Sequence, residues 1–406
     1  MSDTVSAGAY KWEFKPRFRR HAFGWRSQPA IQRIKQAQAE IKKVARKDPV
    51  LAAEGAVCLI ERLSPALEQV DGSSGAIGTA VYHAIVDLVP VIAGAPADAS
   101  VRGVWLERLW APHEADEMPY IEAMGDYWGD LCASAEVASN WADRLTGITR
   151  LALSPDPNLR GYFHGTSACL SALYRAERYG EIVELVSGER VIWSYKRWAV
   201  KALVAMGQKA KAIKYAESCR SPWASDRDID ALCEQILLSS GLLDEAYKRY
   251  GLHAHTGATY LATFRAVAKA YPQKQPREIL ADLVETTPGD EGKWFAAAKE
   301  AGLYDEALEL AGRAPCDPKT LTRAARDLTA DRPAFAVEAG LLALQWLAEG
   351  YGYEITGADV WAAYDYTIKA AEKIDVAADV RARIRQVVTN RPAGLVVQIL
   401  GRELGL

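Results

Sequence analysis

The chain has 406 residues, of which half are hydrophobic and a quarter are charged, and its formal net charge is −3. These values are ordinary for a soluble protein with one large core or several smaller cores in series. They exclude a protein that binds polyanions through its overall charge. The distribution is uneven, because residues 11–47 carry twelve Lys or Arg against two Glu, a net +10 that leaves −13 for the rest of the chain.

The chain opens on a basic and aromatic arm, residues 1–29. Residues 10–29 read YKWEFKPRFRRHAFGWRSQP, with six cationic and six aromatic side chains. Three interpretations are open: the arm docks on the protein's own acidic body, it binds nucleic acid, or it binds another protein. In the nucleic-acid interpretation Trp12 or Trp25 stacks on bases while basic side chains contact phosphates. Those side chains are Lys15, Arg17, Arg19, Arg20, Lys35, Lys42, Lys43 and Arg46.

An acidic face is predicted within residues 116–132. Glu122, Asp126 and Asp130 recur at i, i+4 and i+8, which places them on one face of a helix. Like charges at this spacing repel, so a cationic neighbour is plausible. Three interpretations stay open here as well: a solvated face, a contact with the arm or with a basic peptide, and a metal ion.

Periodicity and capping signals predict helices along the whole chain, and no hairpin signal occurs. Helices of about 12–17 residues that stop at Gly or Pro are expected. A capping side chain directly before a proline, or at the start of an apolar run, marks several helix starts. The predicted starts are Asp48-Pro49, Ser64-Pro65, Asp317-Pro318 and Thr356 before Asp359.

Four segments of the chain align without gaps: RAERYGEIVELV, AMGQKAKAIKYA, SSGLLDEAYKRY and EAGLYDEALELA. Their third positions are separated by 30, 34 and 61 residues, and the last value is about two periods, so a further copy is expected near residue 271. Glycine at the third position ends a helix in the left-handed conformation, and a small Ala further on lets two helices pack closely. The third positions are Glu177, Gly207, Gly241 and Gly302.

The segment GLYDEALELA (302–311) matches the Gly-x-Tyr-x-x-Ala pattern of the second helix of tetratricopeptide repeats, and residues 195–216 match more loosely. The chain therefore resembles degenerate tetratricopeptide-like helical-repeat proteins, although the first-helix Trp-x-x-Leu-Gly is absent. Residues 116–132 also resemble bacterial helical proteins of no assigned function. The resemblance implies an all-α fold, a right-handed α-solenoid of antiparallel helix pairs with a concave peptide-binding face. The groove positions expected on this basis are Trp198, Lys201, Trp294 and Lys299.

Few residues point to catalysis or to a metal. His164 and Cys169 can approach each other across the start of a helix, but no third member completes a nucleophilic site. His253 and His255 have no acidic or thiol ligand close in sequence. We therefore predict no catalytic residue, no metal and no cofactor.

The compartment is predicted from cysteine and apolar patterns. The six cysteines form no CxxC and are expected to be small buried thiols. No apolar leader opens the chain, and the longest apolar run, residues 84–97, is interrupted by Asp87, Pro90 and Gly94. A soluble cytoplasmic protein without a membrane partner is the prediction.

These observations predict four regions: the arm (1–29), an N-terminal helical region (30–160), tetratricopeptide-like repeats (161–315), and C-terminal helical pairs with a capping helix (316–406). The predicted function is a non-catalytic scaffold or adaptor that binds a protein or peptide segment in a solenoid groove. Nucleic-acid binding through the arm is the alternative, and an enzyme of unknown class is a second one. The partner and the oligomeric state are not predicted.

Overall fold

A computed structural model describes residues 10–389 and 394–406. The first nine residues of the predicted arm and residues 390–393 of the predicted C-terminal region lie outside the described residues. Helices and turns account for the described residues, with no β-strand among them, which confirms the all-α class. The chain divides into two compact units, Met1–Ser225 and Asp226–Leu406, and each encloses a hydrophobic core of its own. The division falls inside the segment 161–315 that the sequence assigns to repeats.

The helices of the first unit follow one another in the chain with short connections. They are α1 (Ser27–Ala45), α2 (Pro49–Leu67), α3 (Ala76–Ala93), α4 (Ala99–Glu114), α5 (Trp128–Cys132), α6 (Ala135–Ala152), α7 (Thr166–Arg175), α8 (Tyr179–Leu185), α9 (Trp193–Ala205) and α10 (Lys209–Ser218). A 3₁₀ segment, Glu122–Tyr127, precedes α5. The principal contacts join helices that are neighbours or next neighbours in chain order, such as α1 with α2 and α3, and α7 with α5, α6 and α9.

The arm docks on the first unit through its aromatic side chains. Trp12, Phe14, Phe18 and Phe23 are buried, and their consecutive ring centroids lie 5.4–6.3 Å apart. Trp12 lies against Gly55 of α2, where a β-carbon would meet the indole at 2.3 Å. The missing side chain at this position is what lets the indole reach the helix backbone.

Backbone hydrogen bonds hold the arm in the same place. The N–H groups of Glu13 and Phe14 donate to the carboxylate of Glu40 in α1 at 2.8 and 3.2 Å. The N–H of His21 donates to the carbonyl of Pro65 in α2 at 3.0 Å. The arm therefore packs as part of the unit, against the helices that directly follow it.

Glu68, directly after α2, is the carboxylate that pairs with cationic side chains of the arm. Arg20 and His21 both approach it at 3.3 Å. Within residues 10–29 the structure shows no ion pair with the predicted acidic face of Glu122, Asp126 and Asp130. Apolar burial selects the docking surface, because the aromatic side chains have a complementary apolar surface on α1 and α2.

Helix α3 is long and apolar enough to cross a membrane by length and composition, and no other described helix passes that test. Seven of its residues are buried, and it packs on α1 and α2. Its buried side chains are part of the core of the first unit.

The second unit is also built of short helices. They are α11 (Asp226–Leu238), α12 (Leu243–Ala246), α13 (Leu252–Ala254), α14 (Tyr260–Ala270), α15 (Pro276–Glu285), α16 (Phe295–Glu300), α17 (Tyr304–Arg313), α18 (Pro318–Leu328), α19 (Pro333–Ala348), α20 (Gly357–Lys373), α21 (Ala377–Thr389) and α22 (Leu395–Leu404). A π-helical turn, Tyr247–Gly251, joins α12 to α13. Its principal contacts again join neighbours and next neighbours, such as α19 with α18, α20 and α21.

The four aligned segments share one turn, as the sequence predicts. Their third positions have φ of 59° to 77°, and the N–H of the next residue donates to the carbonyl five residues earlier at 2.8–3.1 Å. This is the helix-terminating motif that favours glycine. Near residue 271 the turn differs, because α14 ends at Ala270 and α15 begins six residues later at Pro276. The four positions are Glu177, Gly207, Gly241 and Gly302.

Three predicted helix starts are confirmed and one is wrong. Asp48 accepts from the N–H of Leu51 at 2.9 Å, Asp317 accepts from that of Thr320 at 3.0 Å, and Thr356 forms a capping box. Ser64-Pro65 lies inside α2, which continues to Leu67. Buried on all sides, this part of α2 is held by packing, and the Ser64 hydroxyl donates to buried Asp116 at 2.5 Å.

Candidate functional site

A cleft of about 920 Å³ opens on the first unit. Its walls come from the 3₁₀ segment before α5, from the α6–α7 and α8–α9 connections, and from the first turns of α7 and α9. This volume lies in the range of sites that hold small ligands or pieces of a partner chain. The lining residues that the argument uses are Glu122, Asp126, Arg160, Tyr162, Glu189, Arg190, Ile192 and Arg197.

The α6–α7 connection holds its own shape. The Asp156 carboxylate accepts from the N–H of Asn158 at 2.9 Å, and its carbonyl accepts from the N–H of Arg160 at 3.0 Å. The N–H of Gly161 donates to the carbonyl of Ala152, the last residue of α6, at 3.3 Å. One wall of the cleft is therefore pre-formed, which reduces the entropy that a ligand loses on ordering it.

A long-range hydrogen bond ties this wall to the opposite one. The Tyr162 hydroxyl donates to Glu122, 40 residues earlier, at 2.7 Å, and His164 Nδ1 lies 3.5 Å from the same hydroxyl. Burial raises the pKa of Tyr162, and the bond to the carboxylate raises it further. The phenol therefore stays a proton donor at neutral pH.

Two of the three acidic residues predicted to share a face line the cleft. The 3₁₀ segment carries Glu122 and Asp126 into the cleft, whereas Asp130 lies in α5 and is exposed outside it. The predicted spacing assumes a regular α-helix, and the backbone of Glu122–Tyr127 is a 3₁₀ helix instead.

Asp126 is held at the cleft by Arg197. Its Oδ2 pairs with the guanidinium of Arg197 in α9. Its Oδ1 is buried and has no hydrogen-bond partner in residues 10–389 and 394–406. The ion pair with Arg197 thus fixes the carboxylate between the 3₁₀ segment and α9.

The lining carries equal numbers of acidic and basic groups. Glu122, Asp126 and Glu189 stand against Arg160, Arg190 and Arg197. The guanidinium groups of Arg160 and Arg190 have no hydrogen bond or ion pair within the described part of the chain. Apolar surface is offered as well, since Tyr162 is 64% exposed and Ile192 is 58% exposed.

An aromatic cluster supports the cleft from beneath. Trp110, Trp128 and Trp141 are buried with ring centroids 4.9–5.4 Å apart. His113 is fully buried beside them, and neither ring nitrogen has a hydrogen-bond partner among the described residues. Burial lowers the pKa of His113 to about 4, so the imidazole is neutral at pH 7. The cluster is a rigid base, because tightly packed indoles have few alternative positions.

Neither member of the pair Cys169 and His164 is among the described lining residues of the cleft. Cys169 is buried in α7, its Sγ lies 3.6 Å from the Thr146 hydroxyl, and burial raises the pKa of its thiol. His164 contacts Tyr162 instead, so the pair considered from the sequence has separate partners. Among the described residues, no three His, Cys, Asp or Glu side chains are placed to hold a metal ion.

The other histidine pair belongs to the second unit. His255 Nε2 lies 3.0 Å from the carboxylate of Glu234, which is buried and also accepts from the Tyr271 hydroxyl. His253 is exposed on the adjoining turn. The side chain of His255 is thus engaged by a carboxylate that is distant in sequence.

The four groove positions expected from the resemblance are not open surface. Trp198 and Trp294 are 4% and 2% exposed, so both are core residues of their units. The ammonium of Lys201 lies 4.3 Å from the Trp198 ring centroid, and burial lowers the pKa of Lys201. Lys299 is half-buried in α16. Large aromatics at helix–helix contacts are needed for packing, which the sequence pattern alone does not separate from a binding role.

Within the arm the predicted contact residues separate into two groups. Trp12 is buried, whereas Arg17, Arg19, Arg20 and Trp25 are exposed. The aromatic anchors thus face the unit while the cations face solvent.

Sequence reasoning missed Arg160, Tyr162, Ile192 and Arg197. A signal was present in SPDPN (154–158), a proline-rich connection that precedes RGYFHG (160–165) with one residue between them. Such segments between helices often carry binding residues. The pairing of Tyr162 with Glu122 is not visible in the sequence.

Known proteins offer no assignment for this site. No protein-family model matches the chain, and no curated protein matches it in sequence. The resemblance to tetratricopeptide repeats therefore stays a prediction, and the function has to be inferred from the geometry.

Proposed function

We propose that the protein is a non-catalytic scaffold or adaptor whose cleft takes up an extended segment of a partner protein. The observation that carries the proposal is the lining, which combines exposed apolar side chains with balanced charges of both signs. A peptide presents the same mixture: apolar side chains, both charges, and backbone donors and acceptors.

The same lining argues against nucleic-acid binding and against catalysis in the cleft. Three carboxylates would repel a phosphate backbone, so nucleic acid does not suit the cleft. A reaction site needs a base, a nucleophile and a group that stabilises developing charge, and the described lining brings no such set together.

We also propose that both units are built from tetratricopeptide-like helix pairs stacked as a right-handed solenoid. The recurring left-handed turn and the contacts between neighbouring and next-neighbouring helices support this. A reducing compartment such as the cytoplasm is consistent with six free cysteines, of which five are buried.

A selection from a random-peptide display library on the immobilised protein tests the cleft. We expect enriched peptides that bind in solution by fluorescence anisotropy and lose at least tenfold in affinity when Ile192→Lys places a charge on the apolar wall. The matched control is Tyr353→Lys in the second unit, because Tyr353 is 81% exposed and lies outside the cleft. If the enriched peptides bind the Ile192→Lys variant with unchanged affinity, the binding surface lies elsewhere.

A further inference from the structure

A second concave surface, of about 510 Å³, lies on the arm and the start of α1. Four arginines line it, and no carboxylate is among its described lining residues. We call it the arginine surface, formed by Arg17, Arg19, Arg20 and Arg33. In a protein of net charge −3, such a concentration of cations marks a candidate site for an anion.

The docked arm builds this surface by alternation. Phe14, Phe18 and Phe23 face the unit and are buried, while the arginines between them are exposed. Because the aromatic anchors fix the backbone, the cations are held on one side at small cost in chain entropy. The arm is thus a folded platform for charge.

Two of the arginines are brought together on a neutral group. The guanidinium groups of Arg17 and Arg33 both donate to Oε1 of Gln36, at 3.4 and 2.9 Å. Two like charges on one uncharged oxygen repel each other, and an anion between them relieves that repulsion. The guanidinium group of Arg19 has no hydrogen bond or ion pair in the part of the chain that the structure describes.

Nearby carboxylates neutralise the arginine surface only in part. Glu40 is occupied by two backbone N–H groups of the arm, and Glu68 is shared by Arg20 and His21. Glu13 and Glu40 line the adjoining concavity together with Arg17 and Arg33. The four arginines thus still outnumber the three carboxylates near them, Glu13, Glu40 and Glu68.

The arm also carries an aromatic ring that is open to solvent. Trp25 is 72% exposed, although its carbonyl is held by the N–H of Asp71 at 2.9 Å. A fixed backbone with an open indole is the arrangement on which an unpaired base stacks. Further exposed cations on or directly after α1 are Lys35, Lys43 and Arg46, which lie around the helix from Arg33, whereas Lys42 is bound to Asp87 at 2.7 Å.

We propose that the arginine surface binds single-stranded nucleic acid, with phosphates on Arg17, Arg19 and Arg33 and a base stacked on Trp25. Unpaired bases are required because stacking needs an accessible base face, which a duplex does not offer along its length. This site is separate from the cleft, and either proposal can fail without the other.

Fluorescence anisotropy of a labelled 20-nucleotide oligothymidylate with the full-length protein tests the proposal. Binding at 50 mM salt is expected, and R17Q/R19Q/R33Q should weaken it at least tenfold. Each lost phosphate contact lowers the slope of log K against log salt by about 0.7, so the triple variant should be shallower by about 2. Trp25→Ala should cost about fivefold or more, because the stacking is lost.

Controls separate a specific site from general charge. K373Q/R381Q/R402Q removes three exposed cations of the second unit and should leave binding unchanged. If the triple variant unfolds at a lower temperature, the single variant Arg19→Gln replaces it in the test. The guanidinium of Arg19 makes no hydrogen bond or ion pair in the described structure, so this substitution should weaken binding without affecting folding. No binding at 50 mM salt, equal loss in the control, or binding of heparin and of duplex DNA as tight as that of the oligonucleotide would overturn the proposal.

Discussion

At the scale of single residues, His113 connects the stability of the first unit to pH. Its pKa is lowered to about 4 by burial, against about 6.5 in an unfolded chain. Below pH 6.5 the His113 imidazole is protonated in the unfolded chain, whereas in the folded protein it is protonated only below about pH 4. This residue therefore removes stability as pH falls through that window, by at most about 3 kcal/mol.

Replacing His113 by Leu tests this account. His113→Leu should reduce the loss of melting temperature between pH 7 and pH 5, while the stability at pH 7 changes little because the lost nitrogens have no partner. Differential scanning calorimetry at both pH values measures the difference. His255→Leu is the comparison, since that ring is paired with Glu234. If His113→Leu loses as much melting temperature between pH 7 and pH 5 as the unchanged protein, other titrating groups cause the loss.

Gly55 is the residue that decides how closely the arm packs. Gly55→Ala should lower the free energy of unfolding by about 1–3 kcal/mol, because the new β-carbon overlaps the Trp12 indole. Gly147→Ala in α6 has open space and should be neutral or stabilising by up to about 1 kcal/mol. Urea denaturation of the two variants measures both values. Equal effects would mean that Trp12 does not lie on α2 in solution.

At the scale of elements, the recurring turn offers a paired test. Gly207 and Glu177 hold equivalent left-handed positions, with φ of 75° and 59°. Gly207→Ala should lower the free energy of unfolding by about 1 kcal/mol, and Glu177→Gly should raise it by a few tenths to about 1 kcal/mol. Gly180→Ala serves as the control. Gly180 lies three residues after Glu177, and a β-carbon at this position would meet open space.

Urea midpoints decide between this account and one based on side-chain contacts. Stabilisation by Glu177→Gly follows only if backbone conformation dominates at this position. A loss would show that the Glu177 side chain contributes more than the strain costs.

Elements were predictable where the signal was local. Gly207, Gly241 and Gly302 announce the turns because a left-handed helix end needs glycine, and Asp48 and Asp317 announce helix starts through their own capping bonds. The cleft was not predictable, because Tyr162 and Glu122 meet across 40 residues. The acidic face was predicted on an α-helical period, which the 3₁₀ backbone of Glu122–Tyr127 does not have.

At the scale of the whole molecule, the distribution of charge suggested that electrostatics would place the arm. Four buried aromatic side chains dominate the docking instead, with the Glu68 ion pairs at their margin. Each buried aromatic contributes about 1.5–3 kcal/mol, whereas exposed ion pairs contribute less than about 1 kcal/mol. Composition reveals both kinds of residue but not which of them faces inward.

Deletion of residues 1–26 tests this balance. The melting temperature should fall by several degrees, and the difference from the full chain should be the same at 50 mM and 500 mM NaCl, because apolar burial is not screened. Calorimetry at the two salt concentrations is sufficient. A difference that disappears at 500 mM NaCl would instead show that charge holds the arm.

The claim that the cleft is the working surface of the protein is tested most directly by crosslinking in cells. Benzoylphenylalanine at Ile192 inside the cleft is compared with the same group at Tyr353 in the second unit, and adducts are identified by mass spectrometry. We predict a discrete protein adduct at Ile192, located to one segment of the partner, that is missing at Tyr353. Identical adducts at both positions, or none at Ile192, would contradict the account.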